Sequence, residues 1–245
     1  MGIYSTFLQR AVDQVIHDII LMKIPVVVGI DRAGLVGGDG STHQGIYDIS
    51  LLRPLPGIVL MAPKDENELQ HMVYTGIKLR KPVFIRYPKE PGIGVELDPE
   101  FKELPFGKSE ILREGQDGIV LAVGPLVYRA LQAAEKLFKR DRIDLCVINV
   151  RFIKPLDREL ILKLLKKNKV IITIEDGIWN GGFSSKVREL LIAKGVKDYK
   201  VLPLGVPEEI VEVASREELL EKYNLNSAGI YKEIKKFLNR KTGTK

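Results

Sequence analysis

The 245 residues predict an α/β fold in which mainly parallel sheets are flanked by helices. Three observations carry this. Short runs such as IPVVVGI (24–30) and GIVLAVG (118–124) are apolar at nearly every position, the mark of strands covered on both faces, as in parallel sheets. Amphipathic stretches of helical spacing lie between them. The two kinds alternate along the chain, which calls for right-handed strand–helix–strand crossovers.

In order, strands are expected at 24–30, 57–62, 82–87, 118–124, 143–150, 169–175 and 199–205. Helices are expected at 5–22, 65–80, 125–140, 157–167, 182–194, 215–222 and 227–238. Asp65 followed by Glu68 resembles an N-terminal helix cap. The segment 88–107 holds four prolines and three glycines without apolar periodicity and reads as a connection. This divides the chain into a first unit over 1–90, a linker over 91–107 and a second unit over 108–245. The first unit, with three strands and no strand feeding its opening helix, is thin for a doubly wound domain. Further elements upstream are therefore expected, as is an apolar flank that favours a dimer or a complementary chain.

With 45% hydrophobic and 29% charged residues, the chain can bury a sizeable core. No apolar run is long enough for a membrane helix, so no membrane partner is expected. Cys146 is the single cysteine, which excludes an internal disulfide, suits the reducing cytoplasm and reads as a small buried hydrophobe. The net charge of +6 is spread along helical faces among glutamates. Only the tail KKFLNRKTGTK is a cationic block, read as solvated rather than as a nucleic-acid arm.

The stretch DRAGLVGGDGSTHQG (31–45) follows directly on a strand and concentrates the polar chemistry. In open α/β sheets ligands sit beyond the carboxyl ends of strands. Arg32 lies there, and Arg86 occupies the same position after the strand 82–87. Two forked guanidinium groups at one sheet edge suit a phosphate, whereas either alone would read as a surface ion pair. His43, with Asp39 nearby in sequence, can act as a general acid–base or hydrogen-bond a developing oxyanion, and residue types alone leave its role open. His17 and His71 fall within helical patterns and read as surface or packing residues. No zinc-ligand spacing and no G-x-S-x-G elbow occur. The triplet GDG (38–40), followed twenty-six residues on by Asn67, has the spacing of a magnesium-diphosphate motif. It sits mid-loop and Asn67 opens a predicted helix, so the match is coincidental.

YSTFLQRAVDQVIHD, IDRAGLVGGDGSTHQGIYDISLLR, MAPKDENELQHMVYTG and IRYP, continued by VINVRFIKPLD and TIEDGIWNGGFSSKV, closely resemble the second half of the 1-deoxy-D-xylulose-5-phosphate synthases of the transketolase superfamily. The resemblance covers nearly the whole chain. It implies a truncated pyrimidine-binding domain, a linker and a transketolase C-terminal-type domain. It further implies condensation of pyruvate with glyceraldehyde 3-phosphate, with loss of carbon dioxide, on thiamine diphosphate and Mg2+. Position by position, Phe7 matches the aromatic that packs on the cofactor's aminopyrimidine. Tyr4, Arg32 and Arg86 match residues near the acceptor's phosphate. His43 and Asp39 match the groups facing the reacting carbon, and Arg10 an active-site arginine.

Two family features are not in this sequence: the N-terminal domain that holds diphosphate and Mg2+, and the glutamate just upstream of YSTF that activates the aminopyrimidine. Since the protein must bind, orient and activate such a cofactor, the isolated chain is expected to be inactive. Val12 where tyrosine is usual and RYPKE where RYPRG is usual are smaller departures; Lys89 keeps a charge but not the fork. The rival readings are one subunit of a split thiamine diphosphate enzyme, a non-catalytic phosphate-binding or assembly module, and, fitting less well, a β-type subunit of a 2-oxoacid dehydrogenase.

Overall fold

The computed structural model describes residues 1–239, and the last six residues of the cationic tail lie outside them. Two five-stranded sheets form the frame. The first contains β1 (Gly2–Tyr4), β2 (Val27–Asp31), β3 (Val59–Met61), β4 (Val83–Arg86) and β8 (Phe152–Lys154) in the order β1-β2-β4-β3-β8. The second contains β5 (Glu110–Arg113), β6 (Gly118–Ala122), β7 (Leu145–Asn149), β9 (Val170–Ile178) and β10 (Lys200–Val206) in the order β10-β9-β6-β7-β5. All pairings are parallel except β3–β8 and β5–β7.

Three of these strands escape the sequence pattern because each is only three or four residues long. β1 feeds directly into the first helix, correcting the expectation that no strand does so. It forms one edge of its sheet, and beside it Met1 and Ile77, both exposed, line a groove with Pro25 and Val27. β5 and β8 are antiparallel additions. β8 follows the second sheet's β7 in the chain yet pairs with β3, so the two sheets share a segment.

Alternation along each strand sorts side chains to two faces. Leu60 and Phe84 from the first sheet share one core with Ile119, Leu121 and Ile171 from the second. The helices α3 (Asp48–Leu52), α6 (Arg158–Leu165) and α7 (Phe183–Ala193) contribute Leu52, Ile161 and Val187 to it. The opposite residues Val59, Met61, Val83 and Ile85 pack with Met72 of α4 (Glu66–Leu79). Val120, Ala122, Ile172 and Ile174 pack outward against α5 (Leu126–Asp141), α8 (Arg216–Lys222) and α9 (Ser227–Asn239), the last of which includes Lys235 and Lys236 of the tail. Cys146 is buried in β7, where burial pushes its thiol upward.

The helix expected over 5–22 is broken. It comprises α1 (Ser5–Leu8), a 3-10 turn (Gln9–Ala11), α2 (Val12–Gln14) and a wide π turn (Val15–Ile20). Ala11, at φ −107° and ψ 6°, leaves the helical region and interrupts the ladder.

The proline-rich connection has no regular elements between β4 and β5, yet α4 holds it down. Glu66 accepts the amides of Gly94 (2.6 Å) and Val95 (3.0 Å), and Thr75 Oγ1 accepts that of Leu104 (2.8 Å). His71 is the central clasp: Nδ1 accepts the Lys102 amide at 3.1 Å, so Nε2 carries the proton donated to Asp98 at 2.8 Å. Lys102 and His71 hold the Asp98 carboxyl down at about 2. A depressed carboxylate contributes stability above its unfolded value of 3.8 that is lost as pH falls through about 2. His71→Ala removes the acceptor of the part-buried Lys102 amide and the donor to Asp98 and is expected to cost about 1 kcal/mol, measured by urea unfolding. Protease cleavage between 94 and 104 should accelerate in the same variant; an unchanged cleavage rate would show that the clasp does not hold the segment.

Candidate active site

The glycine-rich loop starts where β2 ends. Asp31 Oδ1 accepts the Arg32 amide at 2.7 Å, and Arg32 adopts φ +56°, turning the chain off the sheet. Gly34 and Gly45 then pair backbone to backbone at 2.7 and 2.8 Å, pinching the loop into a closed excursion. Both must be glycine. Gly34 has φ +78° and a β-carbon there would overlap the Asp176 carboxylate; one on Gly45 would overlap the Arg32 carbonyl oxygen. Inside the excursion, Gln44 Oε1 accepts the Val36 amide at 2.9 Å, and Ser41–His43 form a 3-10 turn.

This fold gathers five of the residues singled out in the sequence. The Arg32 guanidinium lies 4.2 Å above the Tyr4 ring and donates to the Tyr4 hydroxyl at 3.2 Å. Tyr4 stacks on Phe7 with ring centroids 5.3 Å apart, and Phe7 meets His43 edge-on at 6.3 Å. Phe7 leaves 49% of its surface exposed, an unusual position for an aromatic held in a stack. Thr42 Oγ1 lies 2.9 Å from His43 Nδ1. Arg32 pairs with Asp39, and Lys89 Nζ reaches both Asp39 oxygens at 3.0 Å. The Lys89 hydrogen bond, with Arg32 beside it, holds the Asp39 carboxyl below the usual carboxylate range.

The other two residues are placed differently. Arg10, in the 3-10 turn, is exposed and makes no hydrogen bond or ion pair among the described residues. Arg86 sits at the end of β4 beside Ile30 but is only 3% exposed. It donates to Asp48 of α3 at 3.0 Å and to Asp176 of β9 at 2.9 Å. The two arginines thus serve separate clusters. Burial raises the Asp48 carboxyl in spite of Arg86, whereas Arg86 and Arg216 outweigh burial at Asp176 and hold it below the usual range. Next to it, burial pushes Glu175 up to about 8, although the amides of Phe183 and Ser184 at the start of α7, both at 2.8 Å, favour its charged form.

Sequence reasoning noted Lys89 only as a substitution and passed over Asp48, Asp176 and Arg216. Nothing local marks them, since each finds its partners across 38 or more positions. Asn67 bonds Asp98 on the connection, in keeping with the coincidental reading of its spacing. A cleft of about 230 Å³ between Pro63–Glu66, Tyr87–Pro88, Glu90–Ile93 and Pro125 includes none of the seven residues predicted to form the site.

Two mainly parallel sheets flanked by helices, with a loop of aromatic, cationic and histidine side chains at a strand end of the first, define an α/β protein of transketolase-like architecture. Residues 1–92 match the transketolase pyrimidine-binding domain and residues 107–230 the transketolase C-terminal domain. The chain belongs to the transketolase family. It is 50% identical over 237 residues to 1-deoxy-D-xylulose-5-phosphate synthase 1 of Geobacter metallireducens, covering 97% of this chain and 38% of that protein. To the 1-deoxy-D-xylulose-5-phosphate synthase of Pelotomaculum thermopropionicum it is 47% identical over 234 residues, covering 96% and 37% respectively. The chain therefore spans well under half the length of these relatives. Among solved structures it resembles a split-gene transketolase, described as an inactive beta4 tetramer, with a TM-score of 0.83 and 27% identity, covering 97% of this chain and 74% of that one. A transketolase mutant from Pichia stipitis, at 19% identity and a TM-score of 0.79 over 99% of this chain and 34% of that one, shares the fold.

Proposed function

We propose that this chain is the acceptor-side part of a 1-deoxy-D-xylulose-5-phosphate synthase, which joins pyruvate to glyceraldehyde 3-phosphate with loss of carbon dioxide. The observation that carries the proposal is the convergence of Tyr4, Phe7, Arg32, Asp39 and His43, with Lys89, on one loop of a chain half identical to such synthases.

The exposed, stacked ring of Phe7 fits the flat aminopyrimidine of thiamine diphosphate. When bound, that cofactor supplies the carbanion chemistry. For Mg2+ the fit is absent here, because no group of three metal-ligating side chains occurs among the described residues. In this proposal diphosphate and metal are held by a further domain or a complementary chain, and the chain alone is inactive. Arg32 and Lys89 are the cations for the acceptor's phosphate, which would displace Asp39 from both. In this proposal Lys89 takes the place that sequence reasoning assigned to Arg86, whose Nε and Nη1 are held by two buried carboxylates while its buried Nη2 has no partner among the described residues. His43 meets the Phe7 ring edge-on and is positioned to move a proton at the acceptor's oxygen. Arg10, one helical turn beyond Phe7, is the exposed cation available to a substrate carboxylate.

The similarity to a split-gene transketolase favours a two-chain enzyme as the second reading. Both are tested by assaying deoxyxylulose phosphate from pyruvate and glyceraldehyde 3-phosphate with thiamine diphosphate and Mg2+. Activity is expected only when a complementary N-terminal half is added. Product from the chain alone would refute the incomplete-site reading, and silence with every complement would leave a non-catalytic module.

Asp39 also sets how strongly the pocket takes an anion. Asp39→Asn removes its charge and frees Arg32 and Lys89, so affinity for inorganic phosphate should rise about tenfold at low salt. Isothermal titration of both proteins checks this, and an unchanged affinity would place the phosphate elsewhere.

A further inference from the structure

The loop that carries the candidate site is gripped by the second unit, and one side chain makes most of that grip. We propose that Arg216 is a positioning residue: its guanidinium fixes the loop 32–45 and the segment carrying Lys89 at a common spacing. The assignment concerns the site proposed above but needs only that the loop and Lys89 act together.

Arg216 is the first residue of α8, whose start is set by a reciprocal cap: Glu218 accepts the Ser215 amide at 2.8 Å and Ser215 Oγ accepts the Glu218 amide at 3.3 Å. From this fixed start, nearly buried, its guanidinium reaches three places far apart in the sequence. One donor meets the Leu35 carbonyl, within the loop; another meets Glu90, the residue after Lys89; the third meets Asp176 Oδ2 at 3.4 Å. Leu35 lies between Arg32 and Asp39. The two cations that converge on Asp39 are thus each tied, through a near neighbour, to the same planar group. The loop backbone also rests on the start of α8, since a β-carbon on Gly37, at φ +80°, would lie 2.7 Å from the Arg216 nitrogen.

Arg129, which reaches the same helix, makes a contrast. It pairs with Glu217 at 2.6 Å between exposed helix faces and touches neither loop. Only a fork with several donors can serve a carbonyl and two carboxylates together, which an ammonium cannot do in a fixed plane. The second unit thereby has a task at the site without contributing a group to the reaction.

The test compares hydrogen exchange in the full chain with Arg216→Gln, Arg216→Lys and Glu90→Gln. In Arg216→Gln, exchange of the Val36, Gly40 and His43 amides should rise about ten- to a hundredfold, the equivalent of losing charged hydrogen bonds. The amides of Val120 and Ile148 in the second sheet should not change. Arg216→Lys should recover part of the protection, and Glu90→Gln should show a smaller rise in the same loop. The His43 ring resonances should shift in each variant. Loop exchange within twofold of the parent, or a rise shared equally by the second sheet in all three variants, would overturn the assignment. Titration with inorganic phosphate separates the two readings: a parent chain that binds none refutes the phosphate pocket, while the exchange result still decides the clamp.

Discussion

Gly34→Ala is expected to destabilise the protein by about 4 kcal/mol or more and to disorder the loop 31–45, an effect at the upper end of single substitutions. Two costs combine. The residue has φ +78°, a conformation that an L side chain adopts only with strain. Its β-carbon would also overlap the Asp176 carboxylate, which is buried and already held by Arg86 and Arg216. Moving that carboxylate breaks buried ion pairs, so the side chain cannot yield cheaply. Gly38→Ala is the control within the same loop: a β-carbon there meets nothing within 4 Å, and the change should stay within about 0.5 kcal/mol. Urea unfolding of the two variants checks this. Equal stabilities would mean that the loop adjusts and that the Gly34–Gly45 pinch does not set its shape.

Arg86→Met is expected to cost about 3–5 kcal/mol at pH 7, because it leaves Asp48 and Asp176 buried without their shared cation. The loss should depend on pH in a defined direction. Burial already raises Asp48, and Asp176 is held low largely by Arg86. Without the guanidinium both carboxyls shift upward in the folded state. A group with a raised folded pKa contributes stability below its unfolded value that is lost as pH rises through the folded value. The variant should therefore come closest to the parent near pH 4 and fall furthest behind it at pH 7 and above. Glu175, pushed up to about 8, adds to the trend: Arg86 is one of the charges favouring its ionised form, so without the guanidinium its carboxyl shifts further upward and widens the deficit at neutral pH and above. Unfolding curves at pH 4, 5.5 and 7 measure the trend. A difference independent of pH would show that the two carboxylates find other partners, or water, when Arg86 is gone.

The reach of sequence reasoning is clear from particular elements. β6 and the first half of β9, Val170–Ile174, are apolar at nearly every position because both of their faces are buried, and that burial requirement is written locally. The helix α4 carries its own cap, Asp65 accepting the Glu68 amide at 2.7 Å, so its start was legible as well. β1, β5 and β8 were not, because three or four residues hold no periodicity and their pairing depends on partners elsewhere. His71 looked like packing because its two bonds go to a connection about thirty residues away.

At the site the division follows the same physics. By itself the sequence determined the α/β class, the glycine loop after β2 and the resemblance of the 31–45 block to a thiamine diphosphate synthase. Those features reside in local backbone preference, in burial along single elements and in contiguous residue identity. Only the tertiary structure decided which cations share Asp39, that Arg86 faces Asp48 and Asp176 instead, and that Arg216 reaches back from the second unit to the loop. Charge pairing acts through a few ångströms of space and is indifferent to the 40 positions between Asp176 and Arg216 or the 50 between Asp39 and Lys89, so no stretch of sequence contains it.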